Sequence, residues 1–220
     1  MGKGEPSLTT ITSEIIIPDI TTIILTRVPL AFPPLAGRVR DWSDRDAVHR
    51  AAMTLFDPKL PGDADSRRAT SRILYRVEGD QRNPYLLIQS RVALASTSDS
   101  LVRTDLSGLI PRLTPGTVVM FRIDINAVRC QSRSTRRMPI PEPEIPEWLT
   151  GTTMGRGLSK IAVGDLRVSA LRAGRTPLRI ARVDGTAVVR DQGALVALLG
   201  EGVGRARAYG CGLLSVLPIG

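Results

Sequence analysis

The chain of 220 residues is short of several things on which chemistry often rests: it has one histidine, two cysteines and 4% aromatic residues. Two cysteines as far apart as Cys130 and Cys211, with one histidine, cannot assemble a zinc cluster at any ligand spacing. In a reducing compartment both thiols are expected to be small buried hydrophobes rather than a disulfide. Few aromatics mean few stacking platforms, which disfavours a protein that reads single-stranded nucleic acid base by base. No run of 18 or more apolar residues occurs, and the apolar stretch from Ile11 to Leu30 is broken by Glu14, Pro18, Asp19 and Arg27, so no membrane partner is predicted. The start carries neither a basic-then-apolar leader nor, with Pro6 where Ser or Thr is required, a myristoylation signal; the expected location is the cytoplasm.

Lysine is scarce too. Only Lys3, Lys59 and Lys160 occur, so 27 of the 30 basic residues are arginine, against 21 acidic ones. The net charge of +9 is unevenly divided: residues 1–126 hold 16 basic and 14 acidic side chains, residues 127–220 hold 14 and 7. The second half is therefore the candidate for binding a polyanion. Arginine suits bidentate phosphate contacts, and with so few aromatics the composition favours a duplex or hairpin, recognised through shape, phosphates and 2′-hydroxyls.

The densest signal lies near the C-terminus, where Gly202-Val-Gly204-Arg205-Ala-Arg207-Ala-Tyr-Gly210-Cys-Gly212 runs into the strand-like Leu213-Leu-Ser-Val-Leu217. Four glycines allow positive φ and close approach of a ligand, and Arg205 and Arg207 add fixed positive charge. The spacing is not a dinucleotide fingerprint, because Arg207 stands where the third glycine belongs, and no Gly-Lys-Ser/Thr makes it a Walker loop. Taken alone, the run equally fits a helix C-cap turning into a last strand.

Along the rest of the chain, Ile20–Val28 reads as a buried strand, Ser43 as the cap of a helix with Ala47, Val48, Ala51, Ala52, Leu55 and Phe56 on its apolar face, and Pro58 as its end. His49 lies at the edge of that face, either a structural histidine or a proton carrier. Ser71–Val77 and Tyr85–Val92 read as a strand pair, a short helix is expected around Thr104–Ile110, and Thr117–Ala127 reads as a fourth strand. The order strand, helix, strand, strand, helix, strand is ferredoxin-like. In the second half, Leu166–Leu171 and Leu178–Val183 are strands, Asp184-Gly185 a tight-turn signal before Thr186–Arg190, and Asp191 caps a helix to about Gly200. Arg129, Arg133, Arg136 and Arg137 precede the proline-rich run to Pro146 and Trp148-Leu149, which reads equally as a solvated linker.

Several of these segments together resemble the CasE family, the CRISPR repeat-processing endoribonucleases of the type I-E Cascade complex. The likeness rests on the glycine run, on His49 followed by Leu55-Phe56-Asp57-Pro58, and on the Leu-Tyr-Arg and Gln-Ser-Arg triplets in Ile73–Glu78 and Leu86–Arg91. It implies an α+β fold of two tandem ferredoxin-like (RAMP-type) domains: an extension over 1–19, a first domain over 20–127, a basic linker over 128–148 and a second domain over 149–220. It further implies cleavage of CRISPR precursor RNA at the repeat hairpin by attack of the RNA's own 2′-hydroxyl, with no cofactor or metal, and retention of the mature crRNA among other Cascade subunits. His49 would be catalytic, and Arg136, Arg137, Gly202, Gly204, Arg205, Arg207, Gly210 and Gly212 would bind RNA. One departure matters: the family commonly has tyrosine where this chain has Asp46, which could orient the imidazole or raise its pKa but cannot donate a proton at neutral pH. Two other readings stay open: a catalytically inactive hairpin-binding subunit, and a basic RNA-binding protein unrelated to CRISPR. A serine or cysteine hydrolase is remote, since no nucleophile elbow accompanies the histidine.

Overall fold

The computed structural model describes residues 23–63, 66–79, 83–96, 98–130 and 137–219. Arg136 and the 1–19 extension lie outside the described residues. The first unit opens with β1 (Ile24–Pro29), from the β-branched stretch, and α1 (Arg45–Met53). Asp44, not Ser43, caps α1: its carboxylate accepts from the amides of Asp46 and Ala47 at 3.1 and 3.3 Å. Ser43 instead donates its amide to Asp41, so the turn closes one residue later than expected. A short α2 (Arg67–Thr70), β2 (Leu74–Glu78), β3 (Tyr85–Ser90) and β4 (Val102–Asp105) follow. The sheet is antiparallel in the order β2-β3-β1-β4. Val48, Ala51, Ala52, Leu55 and Phe56 of α1 and its exit pack on Val28, Ile73, Tyr75, Leu86 and Ile88 beneath.

The strand expected over Thr117–Ala127 exists as β5 (Val118–Asn126), but it does not complete the first sheet. Its alternation buries Val119, Phe121, Ile123 and Ile125 in the core of the second unit. The fourth strand of the first sheet is β4, whose Val-Arg-Thr-Asp residues are all exposed and so carry no apolar alternation.

The second unit continues with the β6 (Val128–Cys130) and β7 (Arg137–Pro139) hairpin, α3 (Ile145–Thr150), α4 (Met154–Gly157), the long strands β8 (Leu158–Ala173) and β9 (Thr176–Val189), α5 (Gln192–Glu201) and β10 (Ser215–Pro218). Its main sheet runs β10-β5-β9-β8. In both main sheets the fourth strand lies beside the first and the third beside the second, which is the ferredoxin-like order read twice.

Three expectations change here. The residues read as a linker contain β6, β7 and α3, because Ile140, Ile145 and Leu149 are fully buried in the second core and draw the segment onto it. Asp184-Gly185 is no turn; both lie inside β9, and the β8–β9 hairpin turns at Gly174-Arg175 instead. A Cβ on Gly185 would meet the Ala162 carbonyl at 2.2 Å and the Phe121 ring at 3.0 Å, so the glycine is there for close approach beside the bulges of β8. Of the two cysteines, Cys211 is buried, its thiol pushed up to about 12 by desolvation, while Cys130 is exposed on the β6–β7 hairpin.

Candidate active site

The first sheet grips the C-terminal segment of the second unit through three side chains. Tyr75 Oη donates to the Ala208 carbonyl at 2.7 Å, Arg76 Nη1 to the Leu213 carbonyl at 2.7 Å, and Gln89 Nε2 to the Leu199 carbonyl at 2.5 Å. Tyr75 and Arg76 belong to one of the triplets noted above and Gln89 to the other, so those motifs join the two units. Between these points the glycine run leaves α5, makes a short 3₁₀ turn over Arg207–Tyr209 and enters β10.

The glycines of the run pack more than they present. Gly210, at φ +81°, would carry its Cβ 3.1 Å from the Tyr75 ring; Gly212, at +86°, 2.5 Å from the Val203 carbonyl; and Gly202, at +77°, 2.9 Å from Leu74. Gly210 and Gly212 are buried, so these two, expected to face RNA, support the loop from beneath. The amides of Gly202, Val203, Tyr209 and Gly212 donate to the carbonyls of Leu198, Gly212, Ala206 and Asp124. What the run presents outward is Gly204, Arg205 and half-buried Arg207, whose Nη1 is tied to the Glu201 carbonyl at 2.7 Å. Gly210→Ala is expected to cost about 1–2 kcal/mol for the left-handed backbone. In a chain of this size that lowers the melting temperature by roughly 2–8 °C in a thermal unfolding scan.

His49 projects from α1 onto this loop. Its ring lies 6.5 Å from that of Tyr75, nearly parallel at 14°, and 6.2 Å from that of Tyr209, edge-on at 77°. The sequence predicted His49 and the glycine run separately; the fold makes them neighbours. Nδ1 of His49 is buried without a hydrogen-bond partner. Asp46, the expected orienting residue, instead pairs with Arg50 one turn on. Burial, then the Arg68 charge, hold the His49 pKa below its ordinary 6.5, with Asp46 acting weakly upward and Arg50 downward. A histidine of depressed pKa binds fewer protons folded than unfolded, so its contribution weakens stability as pH falls through about 6.5, and stability recovers as pH rises. At neutral pH the imidazole is the free base.

Two clefts flank the loop. One, of about 540 Å³, is lined by His49, Arg67, Arg68, Phe56, Leu60 and Ala208 among others. The second, of about 430 Å³, brings Arg156 beside Arg205 and Arg207 over α5. Arg67, Arg68 and Arg156 were not among the predicted site residues: the first two follow Asp63 and Asp65 in the sequence, where the charges look balanced, and Arg156 lay in an isolated basic patch. Burial holds the pKa of Arg68 below its ordinary value, and the charge of Arg207 acts in the same direction. Arg137 is exposed on β7, apart from the residues lining either cleft.

A doubled ferredoxin-like fold, with a helix-borne histidine against a buckled glycine loop and arginines on both sides of it, defines a protein with a basic cleft at the junction of its units. The family model described as CRISPR associated protein matches residues 24–218, and the chain belongs to that family. Among solved structures it is similar to Thermus thermophilus Cse3 bound to an RNA representing a pre-cleavage complex, with 22% identity over 90% of this chain and 100% of the other at a TM-score of 0.67. The CRISPR-associated protein Cas6e of Escherichia coli K-12 matches with 23% identity, 90% and 100% coverage and a TM-score of 0.57. A chain of a CRISPR RNA-guided surveillance complex in a pre-nicking state matches with 25% identity, the same coverages and a TM-score of 0.61. Compared by sequence with curated proteins, the chain matches none.

Proposed function

We propose that this protein is an endoribonuclease that cuts CRISPR precursor RNA beside the repeat hairpin and keeps the product as a subunit of a larger surveillance complex. The observation that carries the reading is the single histidine, which projects from α1 against the glycine loop and lines one of the two arginine-bearing clefts that flank it. Similar structures described as an endoribonuclease bound to RNA, and as part of an RNA-guided complex, support the substrate and the assembly. The domain division belongs to the same proposal, with the connection shortened to the stretch ahead of β5.

In the proposed reaction His49 takes the proton of the 2′-hydroxyl beside the scissile phosphate. The 2′ oxygen bonds to phosphorus, the bond to the 5′ oxygen breaks, and that oxygen takes a proton from solvent. The products are a 2′,3′-cyclic phosphate and a 5′-hydroxyl, reached by positioning and proton transfer and without a metal. Arg205, Arg207 and Arg156, which line one cleft, would hold the hairpin backbone, and the family resemblance adds Arg136 and Arg137 as further contacts. A repeat hairpin carrying one 2′-deoxy substitution at the scissile nucleotide is expected to bind as the all-RNA hairpin does and to remain uncut in a gel assay; cleavage of it would refute the mechanism. A second reading, a hairpin-holding subunit without activity, draws on Asp46, which stands in the tyrosine's place with its carboxylate turned to Arg50. Tight hairpin binding with no cut in the all-RNA substrate would select it.

A further inference from the structure

Three arginines line the histidine's cleft; Arg50 is paired with Asp46, and the reaction as written gives the other two no part. Arg67 and Arg68 line it together with His49 and Ala208. Arg68 is fixed to the cleft wall by Nη1, which donates to the Ile73 carbonyl at 2.9 Å. Arg67 Nε is buried without a partner. Among the described residues no carboxylate forms an ion pair with either. Asp57 lines the same cleft but pairs with neither; half-buried guanidinium groups left without a paired carboxylate favour the entry of an anion, and a planar guanidinium fits two oxygens of one phosphate.

We propose that Arg67 and Arg68 form the seat of the scissile phosphate, gripping its non-bridging oxygens beside His49 and neutralising the charge that builds on them as the 2′ oxygen attacks. The assignment rests on the endoribonuclease reading and extends it to the groups that stabilise the transition state. No bond to either arginine forms or breaks. The same pair links occupancy to proton transfer. The groups around His49 are Asp46 and Arg50 on α1, Asp57 just past its end, Arg67 and Arg68 on α2, the neutral Tyr75 ring on β2 and the Tyr209 ring of the loop. In the empty cleft Arg68 opposes protonation of the imidazole; a phosphate on the seat offsets that charge, so His49 gains proton affinity when the 2′-hydroxyl arrives to supply a proton.

His49 is the only histidine, so its ring resonance reports the seat without any need for turnover. The experiment is an NMR pH titration of the full-length protein with and without sulfate, which stays a dianion throughout, together with single-turnover cleavage of the repeat hairpin. Sulfate is expected to raise the His49 midpoint in the native protein and to leave it unmoved in Arg67→Gln/Arg68→Gln; Arg68→Gln alone raises the midpoint of the free protein. Cleavage by the double variant is expected to fall about 100- to 1,000-fold with hairpin affinity little changed. Arg68→Lys, which keeps the charge and a donor for Ile73, restores part of the rate and guards against loss of fold. A native midpoint indifferent to sulfate, or a double variant that cuts at the native rate, overturns the seat. If the native protein cuts nothing but sulfate moves His49 through these two arginines, the seat stands and the endoribonuclease reading falls.

Discussion

Replacing His49 by alanine is expected to lower single-turnover cleavage of a repeat hairpin by about 100- to 10,000-fold, the usual worth of a positioned proton carrier. Hairpin binding and the melting temperature are expected to stay close to native. The second half of that expectation comes from the packing. His49 Nδ1 has no hydrogen-bond partner and the side chain lines an open cleft, so removing it breaks no hydrogen bond at that atom and enlarges a space that already exists. The arginines proposed to hold RNA belong to the loop and to α4 rather than to α1. A structural histidine would show the opposite pattern, a loss of stability with little change in rate per bound hairpin. Because burial and then Arg68 hold the imidazole pKa of the free protein low, kcat/KM should fall on the acid side only below about pH 6.5, as the base form of the free protein is lost.

The largest expected effect on stability comes from Arg76. Its side chain is 2% exposed, and its guanidinium binds Glu78 through Nε at 2.6 Å, the Leu213 and Arg122 carbonyls through Nη1 at 2.7 and 3.1 Å, and the Ser215 hydroxyl through Nη2 at 3.0 Å. Arg76→Leu leaves buried Glu78 with only the longer contacts to Arg122 and Arg182, at 3.3 and 3.4 Å, and strips donors from two carbonyls at the junction of the units. Breaking one side of a buried ion pair costs about 3–5 kcal/mol, which lowers the melting temperature of a chain of this size by roughly 6–20 °C. The loop that Arg76 and Tyr75 hold should loosen before the sheets do, so hydrogen exchange at Gly212 and Leu213 is expected to rise more than exchange in β3. A variant that melts with the native protein would show that the junction is held elsewhere.

Much of this arrangement was legible in the residues. Apolar, β-branched runs placed β1, β2 and β3, and an acidic or hydroxyl residue ahead of an apolar stretch placed α1 and α5. The glycine run was visible as a loop, and the triplets around Tyr75 and Gln89 drew notice before it was apparent that they bind the loop. Strand partnership was not legible. The alternation of Val119, Phe121, Ile123 and Ile125 says that one face of β5 is buried but not against which helices, and β4 is too polar to announce itself. Asp184-Gly185 has the composition of a turn, and only the neighbouring Phe121 ring and Ala162 carbonyl explain the glycine. Arg67 and Arg68 were hidden for a similar reason: a charge acquires a role from the side chains brought beside it, and α2 reaches His49 through the fold rather than through sequence spacing.

The central claim is tested most directly by incubating the purified native protein with the host's repeat RNA and with a scrambled hairpin of equal length, in EDTA, and mapping the ends of the products. The account predicts a single cut beside the repeat hairpin, a 2′,3′-cyclic phosphate on one fragment and a 5′-hydroxyl on the other, with the scrambled hairpin left intact. Tight binding of the repeat without any cut, or equal treatment of the two hairpins, would contradict it.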